Sequence, residues 1–202
     1  MTLDPRRYAP ATARNRDPIL SVLRDILPQT GTVLEIASGT GEHVAWFAAA
    51  FPGLTFQPSE RTAELLSSIA AHAGDSGCSN IRPALHLDVT SADPWSVGTV
   101  DAAYNCNMIH IAPWTVAEGL MRGLGAVLKP AAPFMLYGPF KVGGVHTALS
   151  NAAFDESLQA MNSSYGVRDL EAVVALAEDN GLALQESRDM PANNKALVFR
   201  RG

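Results

Sequence analysis

The sequence predicts an α/β fold, a mostly parallel sheet with helices on both faces. Three observations carry this. An apolar run at 33–36 passes through a glycine turn into an amphipathic segment, which is how a βαβ unit opens. Strand-like and helix-like runs then alternate as far as Tyr137, the pattern of parallel strands joined by crossovers. Last, 182–188 and 195–201 read as strands with no helix between them, so they predict a terminal hairpin.

Taken in order, residues 1–16 lack periodicity and read as a leader. Asp17-Pro18 has the form of an N-cap followed by a proline at the first helical position, and Ile19, Leu23, Ile26 and Leu27 give that helix a buried face. The glycine unit follows, with Val44, Phe47, Ala48 and Phe51 on one helical face. Residues 54–57 form a second strand ending at Pro58-Ser59-Glu60, and 61–73 a helix. The run 81–87 is a strand interrupted by Pro83, which places it at a sheet edge. Residues 100–106 are a strand with an exit loop at 108–113. Val116, Leu120, Leu124, Val127 and Leu128 mark the next helix, and 132–137 the next strand. Residues 138–150 read as a Gly- and Pro-containing loop, and helical signals resume at 151–159 and 169–179.

With 202 residues, 47% hydrophobic and 17% charged, the chain predicts one domain, 1–202, with a proper core. A net charge of −5 gives no general attraction to nucleic acid or to an anionic membrane. Cys78 and Cys106 are isolated, forming neither a zinc spacing nor a disulfide framework, which fits reduced thiols in the cytoplasm. His43, His72 and His86 show no ligand spacing, so no metal is predicted.

Open parallel sheets bind ligands beyond the carboxyl ends of their strands. Gly39 and Gly41 let the backbone turn tightly and approach a ligand. A dinucleotide fingerprint requires a third glycine where Val44 stands, and a P-loop requires Gly-Lys-Ser/Thr; neither occurs. Glu35, just before the loop, would repel a pyrophosphate and suits a ligand with a cationic group, such as an amino acid's ammonium. Glu60 ends the second strand, where an acid accepts from both ribose hydroxyls; the competing role is a cap for the next helix. Asp88 ends the third, where the competing role is a loop Asp bonding its own backbone. Asn107 offers a donor and an acceptor to a ligand. His110 titrates near neutrality and is the candidate general base, the alternative being a histidine held by a backbone carbonyl. Tyr137 is a candidate donor to substrate, and Trp114 a candidate pocket wall. Lys141 and Arg16 are candidates for attracting an anionic substrate. Asn15 and Arg16 end the leader, which is either a lid over the site or a free tail.

The stretch 33–41 resembles motif I of class I S-adenosylmethionine-dependent methyltransferases, Asp/Glu-x-Gly-x-Gly-x-Gly. Ala37 stands where the first glycine usually does, and the loop tolerates it if φ there is negative. Further runs are 13–20 (ARNRDPIL), 107–111 (NMIHI), 137–141 (YGPFK) and 190–194 (MPANN). Together they are similar to a little-characterised methyltransferase-like family known as a domain of unknown function, over nearly the whole chain. The resemblance implies a Rossmann-like seven-stranded sheet with the last strand antiparallel, and S-adenosylmethionine as cofactor. It implies cofactor contacts at Glu35, Ala37, Gly39, Gly41, Glu60, Asp88, Val89 and Asn107, with Asp88 accepting from the adenine amino group. It favours a lid for 1–16 and names no acceptor.

The expected function is therefore methyl transfer to a small molecule, with His110 or Tyr137 relaying the nucleophile's proton and Asn15, Arg16, Trp114 and Lys141 facing the substrate. The alternative is a protein that binds the cofactor for sensing or partner contact without transferring the methyl group. An oxidoreductase on the same sheet is disfavoured by Val44.

Overall fold

The computed structural model describes residues 4–202. In chain order the larger elements are α1 (Thr12–Ile26), β1 (Gly31–Ile36), α2 (Glu42–Ala50), β2 (Leu54–Glu60), α3 (Ala63–Asp75), β3 (Leu85–His86), β4 (Ala102–Cys106), α4 (Trp114–Val127) and β5 (Pro133–Gly138). There follow β6 (Phe140–Val142), β7 (Val145–His146), α5 (Leu149–Met161), β8 (Arg168–Asp169), α6 (Leu170–Asp179), β9 (Leu182–Met190) and β10 (Asn194–Arg201). The main sheet has seven strands in the order β3-β2-β1-β4-β5-β10-β9. β1 to β5 pair in parallel, and β10, the last strand of the chain, runs antiparallel to both β5 and β9. This is the expected α/β sheet.

Successive strand residues point to opposite faces, and both faces are covered. Val33, Ala102, Tyr104, Met135 and Val198 pack beneath α1, α2 and α3 with Ile19, Leu23, Val44, Phe47 and Ile69. Leu34, Ile36, Ala103, Phe134, Leu136, Leu197 and Phe199 pack against α4 and α6 with Leu120, Leu124, Val173 and Ala177. Burial on both sides is why these strands read as continuous apolar runs instead of alternating ones.

Three local expectations are revised. α1 begins at Thr12, not at Asp17, so Pro18 lies inside it. Thr12 and Asn15 are buried there, and this tertiary anchoring outweighs the local Asp-Pro signature. The stretch 138–150 is not a loop throughout: β6 and β7 pair as a hairpin, β8 joins β6, and the three form a small second sheet. The predicted strand 81–87 is reduced to Leu85–His86 and a lone bridge at Ile81, at the sheet edge as expected. Pro58 and Pro83 both lack an N–H here, and the Gln57 side chain donates to the Pro58 and Pro83 carbonyls instead (3.1 and 2.8 Å).

Among the described residues no helix is long and apolar enough to cross a membrane. No cluster of three His, Cys, Asp or Glu suited to a metal ion occurs among them.

Candidate functional site

The strand order reverses between β1 and β4, so the loops leaving these two strands part and open a crevice. A cavity of about 490 Å³ lies there, of the size that holds small ligands. Its wall is built from the ends of four neighbouring strands. Ala37, Ser38 and Gly39 come after β1, Glu60 ends β2, Leu87, Asp88 and Val89 follow β3, and Cys106, Asn107 and Met108 leave β4. Ala9, Ala11 and Thr12 close it from the N-terminal side, His43 from α2, and Tyr165 from the segment after α5.

The glycine loop is held by cross-links to β2. Ser38 N–H donates to Ser59 O (2.8 Å), and Ser59 N–H donates to Ser38 Oγ (3.2 Å). Gly39 N–H donates to Glu60 Oε2 at 2.9 Å. Glu60 Oε1 accepts from the N–H groups of Arg61 (2.9 Å) and Thr62 (3.0 Å), so the carboxylate stands in one orientation on the cavity wall. A side chain added at Gly39 would meet nothing within 4 Å, so the loop turns its bare backbone to open space. At Gly41, φ is +90° and an added Cβ would lie 2.6 Å from Ile69 Cα, so this glycine lets α2 close on α3 and does not line the cavity. Ala37 has φ +54°, opposite to the expected sign; the motif is accommodated by holding an alanine in the left-handed region.

Asp88 Oδ1 accepts from Thr90 N–H (2.9 Å) and Thr90 Oγ1 (2.7 Å), and these bonds hold its carboxyl below the usual carboxylate range. Both competing roles of this acid are therefore present, the backbone turn and the place on the cavity wall. Asn107 adopts φ +59°, donates its N–H to Tyr137 O (2.9 Å), and presents its side chain at the wall.

Several predicted residues stand behind the wall. Glu35, between Pro58 and Tyr104 in the sheet, is fully buried; burial raises its pKa to about 8, while the Ser38 and Tyr104 hydroxyls pull the other way. Its Oε2 has no hydrogen-bond partner among the described residues. It is not a cavity contact, because the strand pleat turns its side chain into the core. His110 is 3% exposed, packs edge-on against Phe154, and does not line the cavity. Burial, with Arg168 nearby, lowers its pKa to about 4, so the expected base is both screened and weak. Its backbone carbonyl accepts from Gly166 N–H (2.9 Å). Tyr137 is buried beside Cys106, and burial raises its hydroxyl to about 12 against the opposing hydrogen bonds of Asn15 and Asn194.

The charged substrate candidates are engaged elsewhere. Lys141 pairs with buried Asp155 at 2.8 Å, and His146 reaches the same oxygen at 3.1 Å. Arg16 stacks over Trp46, 3.7 Å from the ring. Trp114 opens α4 and packs on the core, with Arg168 5.9 Å above its ring. Arg168 donates to the Ile109, Ala112 and Ser164 carbonyls, tying the loop after β4 to the small sheet. Asn15 is buried one layer back, where His43 Nε2 meets its Oδ1 at 2.8 Å.

His43, Thr12, Cys106 and Tyr165 are wall residues not anticipated from sequence. For His43 a signal existed: two positions after the second glycine, it falls in the first helical turn, which faces whatever the loop holds.

Residues 6–201 match the family described as Protein of unknown function (DUF938). The fold is also that of solved methyltransferase structures. An O-methyltransferase family protein from Burkholderia thailandensis matches with a TM-score of 0.81 and 16% identity, over 95% of this chain and 57% of that one. An O-methyltransferase family 2 protein from Planctomyces limnophilus, in complex with apigenin, matches with a TM-score of 0.78 and 15% identity, over 95% and 60%. Human N-acetylserotonin methyltransferase in complex with SAM matches with a TM-score of 0.75 and 15% identity, over 95% and 53%. The chain spans a little over half the length of these proteins.

Proposed function

The chain belongs to the family Protein of unknown function (DUF938), and on that premise we propose that it is an S-adenosylmethionine-dependent methyltransferase acting on a small-molecule acceptor. The observation that carries this is the single cavity joining Gly39, Glu60, Asp88, Val89 and Asn107 at the strand-order reversal. The residues fit the cofactor. Gly39 leaves room above the loop, and Glu60, its carboxylate held on the wall by three backbone N–H groups, would accept from the ribose. Leu87, Val89 and Val116 offer an apolar slot for the base, with Asp88 at its rim to accept from the amino group. Asn107 and the loop at Ala37 would hold the amino-acid end. When bound, the cofactor supplies an electrophilic methyl group on a sulfonium. The protein's part is to hold an acceptor in line with it and to exclude water, which is mostly positioning. Reduced Cys78 and Cys106 fit the cytoplasm as the place of action.

Isothermal calorimetry tests the proposal. S-adenosylmethionine and S-adenosylhomocysteine are expected to bind. Glu60→Ala is expected to weaken both by about tenfold or more, the loss of hydrogen bonds to a charged group. Failure of both ligands to bind the wild-type chain overturns the proposal.

One observation favours a second reading, binding without transfer. His43, which lines the cavity, and His110, which does not, are both lowered to about 4, and Tyr137 is raised to about 12. None is poised as a base at neutral pH. An acceptor that is already nucleophilic, such as a neutral amine or a thiolate, removes the need for one. A screen of amine, thiol and phenol acceptors for methylated product separates the readings: product from any class supports transfer, and none with cofactor bound supports the second.

A further inference from the structure

The cavity wall contains one imidazole, and the role proposed above does not use it. His43 is 9% exposed, lines the cavity, and stacks flat on Phe47 with 5.2 Å between ring centroids. Its Nε2 lies 2.8 Å from Asn15 Oδ1 on α1. Asn15 is itself buried, and its Oδ1 sets the tilt and the tautomer of the ring. With Nε2–H given to Asn15, a neutral imidazole keeps its lone pair on Nδ1. Burial, with the Arg16 guanidinium nearby, holds the ring neutral at physiological pH.

The surroundings narrow what this lone pair can meet. The cavity runs from Asp88 and Val89, near the edge of the sheet, to Thr12, His43 and Cys106, beside α1 and β4. At that far end no carboxylate reaches the wall. Glu35 is buried below it, and Glu42 Oε2 is taken by Ala9 N–H (2.7 Å) and Thr40 Oγ1 (2.9 Å). Cys106 is a half-buried thiol whose ionisation is strongly disfavoured. A cationic ammonium group placed there needs an acceptor, and the imidazole provides one.

We propose that His43, locked by Asn15, is the contact that reads the amino-acid end of the cofactor, its Nδ1 accepting a hydrogen bond from the α-ammonium group. This rests on the cofactor reading given under Proposed function. Asn15 is then a positioning residue that acts through His43.

The test is calorimetry with two probes, S-adenosylhomocysteine and 5′-methylthioadenosine, which shares the nucleoside but lacks the amino acid. His43→Ala is expected to weaken S-adenosylhomocysteine about tenfold or more and to leave 5′-methylthioadenosine within about twofold. Asn15→Ala is expected to do the same more weakly. His43→Asn, which keeps an acceptor in a smaller side chain, recovers part of the loss and guards against a folding artefact. Equal losses for both probes in His43→Ala mean a structural role and overturn the inference. So does an unchanged affinity of His43→Ala for S-adenosylhomocysteine where the wild-type chain binds it well. If the wild-type chain binds neither probe, the function proposed above fails, and this inference with it.

Discussion

Glu35 makes the clearest single-residue prediction. The carboxyl is enclosed by the sheet, has one oxygen without a partner, and has its pKa raised from 4.5 to about 8. A group with a raised folded pKa contributes stability that is fully present below its unfolded value and is lost as pH rises through the folded one. Stability is therefore expected to fall between about pH 4.5 and pH 8, by at most about 5 kcal/mol from this group. His43 and His110 act in the opposite sense, losing stability as pH falls from 6.5 towards 4. Glu35→Gln keeps the shape and cancels only the first effect. Urea denaturation across pH 5–8 should show the variant gaining on wild type as pH rises; parallel curves would mean that Glu35 is ionised at little cost. The acid itself was legible in the sequence because it precedes the glycines. Its direction was not, since the pleat that turns it inward depends on register with β2 and β4. The positive φ of Ala37 was equally hidden, a dihedral angle imposed by the Ser38–Ser59 cross-links.

Elements were legible in proportion to their length. α4 and α6 carry several helical turns of apolar spacing, and β9 and β10 are the longest strands, so each was found within a few residues. β6, β7 and β8 have two or three residues each, too few to show a period, and β8 joins β6 from more than twenty residues away. α1 starts five residues before Asp17, although Asp17-Pro18 has the form of a helix start. The junction of α2 with α3 gives a prediction at this scale. Gly41 combines φ +90° with an approach that leaves no room for a Cβ beside Ile69. Gly41→Ala should cost roughly 2–4 kcal/mol, from backbone strain and overpacking together. Denaturant titration checks it. Gly39→Ala, strained only in its backbone, should cost about 1–2 kcal/mol and so come out clearly milder. Equal losses would mean that the helix contact contributes nothing.

Across the whole molecule, six separate segments meet at the carboxyl ends of the strands, and the first of them is the least anchored. Residues 4–11 have no regular structure and are mostly exposed, while core residues begin at α1. Yet the segment is tied across α2 and α3: Arg7 N–H donates to Ser68 Oγ (2.8 Å), Ala9 N–H to Glu42 Oε2 (2.7 Å), and His72 Nε2 meets Arg7 O (2.9 Å). Arg6 reaches Asp75 at 2.9 Å. Ala9 and Ala11 then complete the cavity wall. Exposed bonds of this kind contribute little to folding, but a segment held over a cavity shields its contents from water. Such a strap opens and closes more readily than the sheet beneath it, as weakly packed segments do. Deleting residues 1–11 should therefore lower the melting temperature by only about 2–4 °C, matching roughly 1 kcal/mol in a chain of this size. The same deletion should weaken S-adenosylhomocysteine by about tenfold, roughly 1.4 kcal/mol, mainly through faster release. Stopped-flow release and a thermal melt of the truncated chain measure the two effects separately. Loss of binding with the fold intact assigns the segment to the site. Unchanged release would make it a tethered tail, and the cavity would then be completed by the strand-end loops alone.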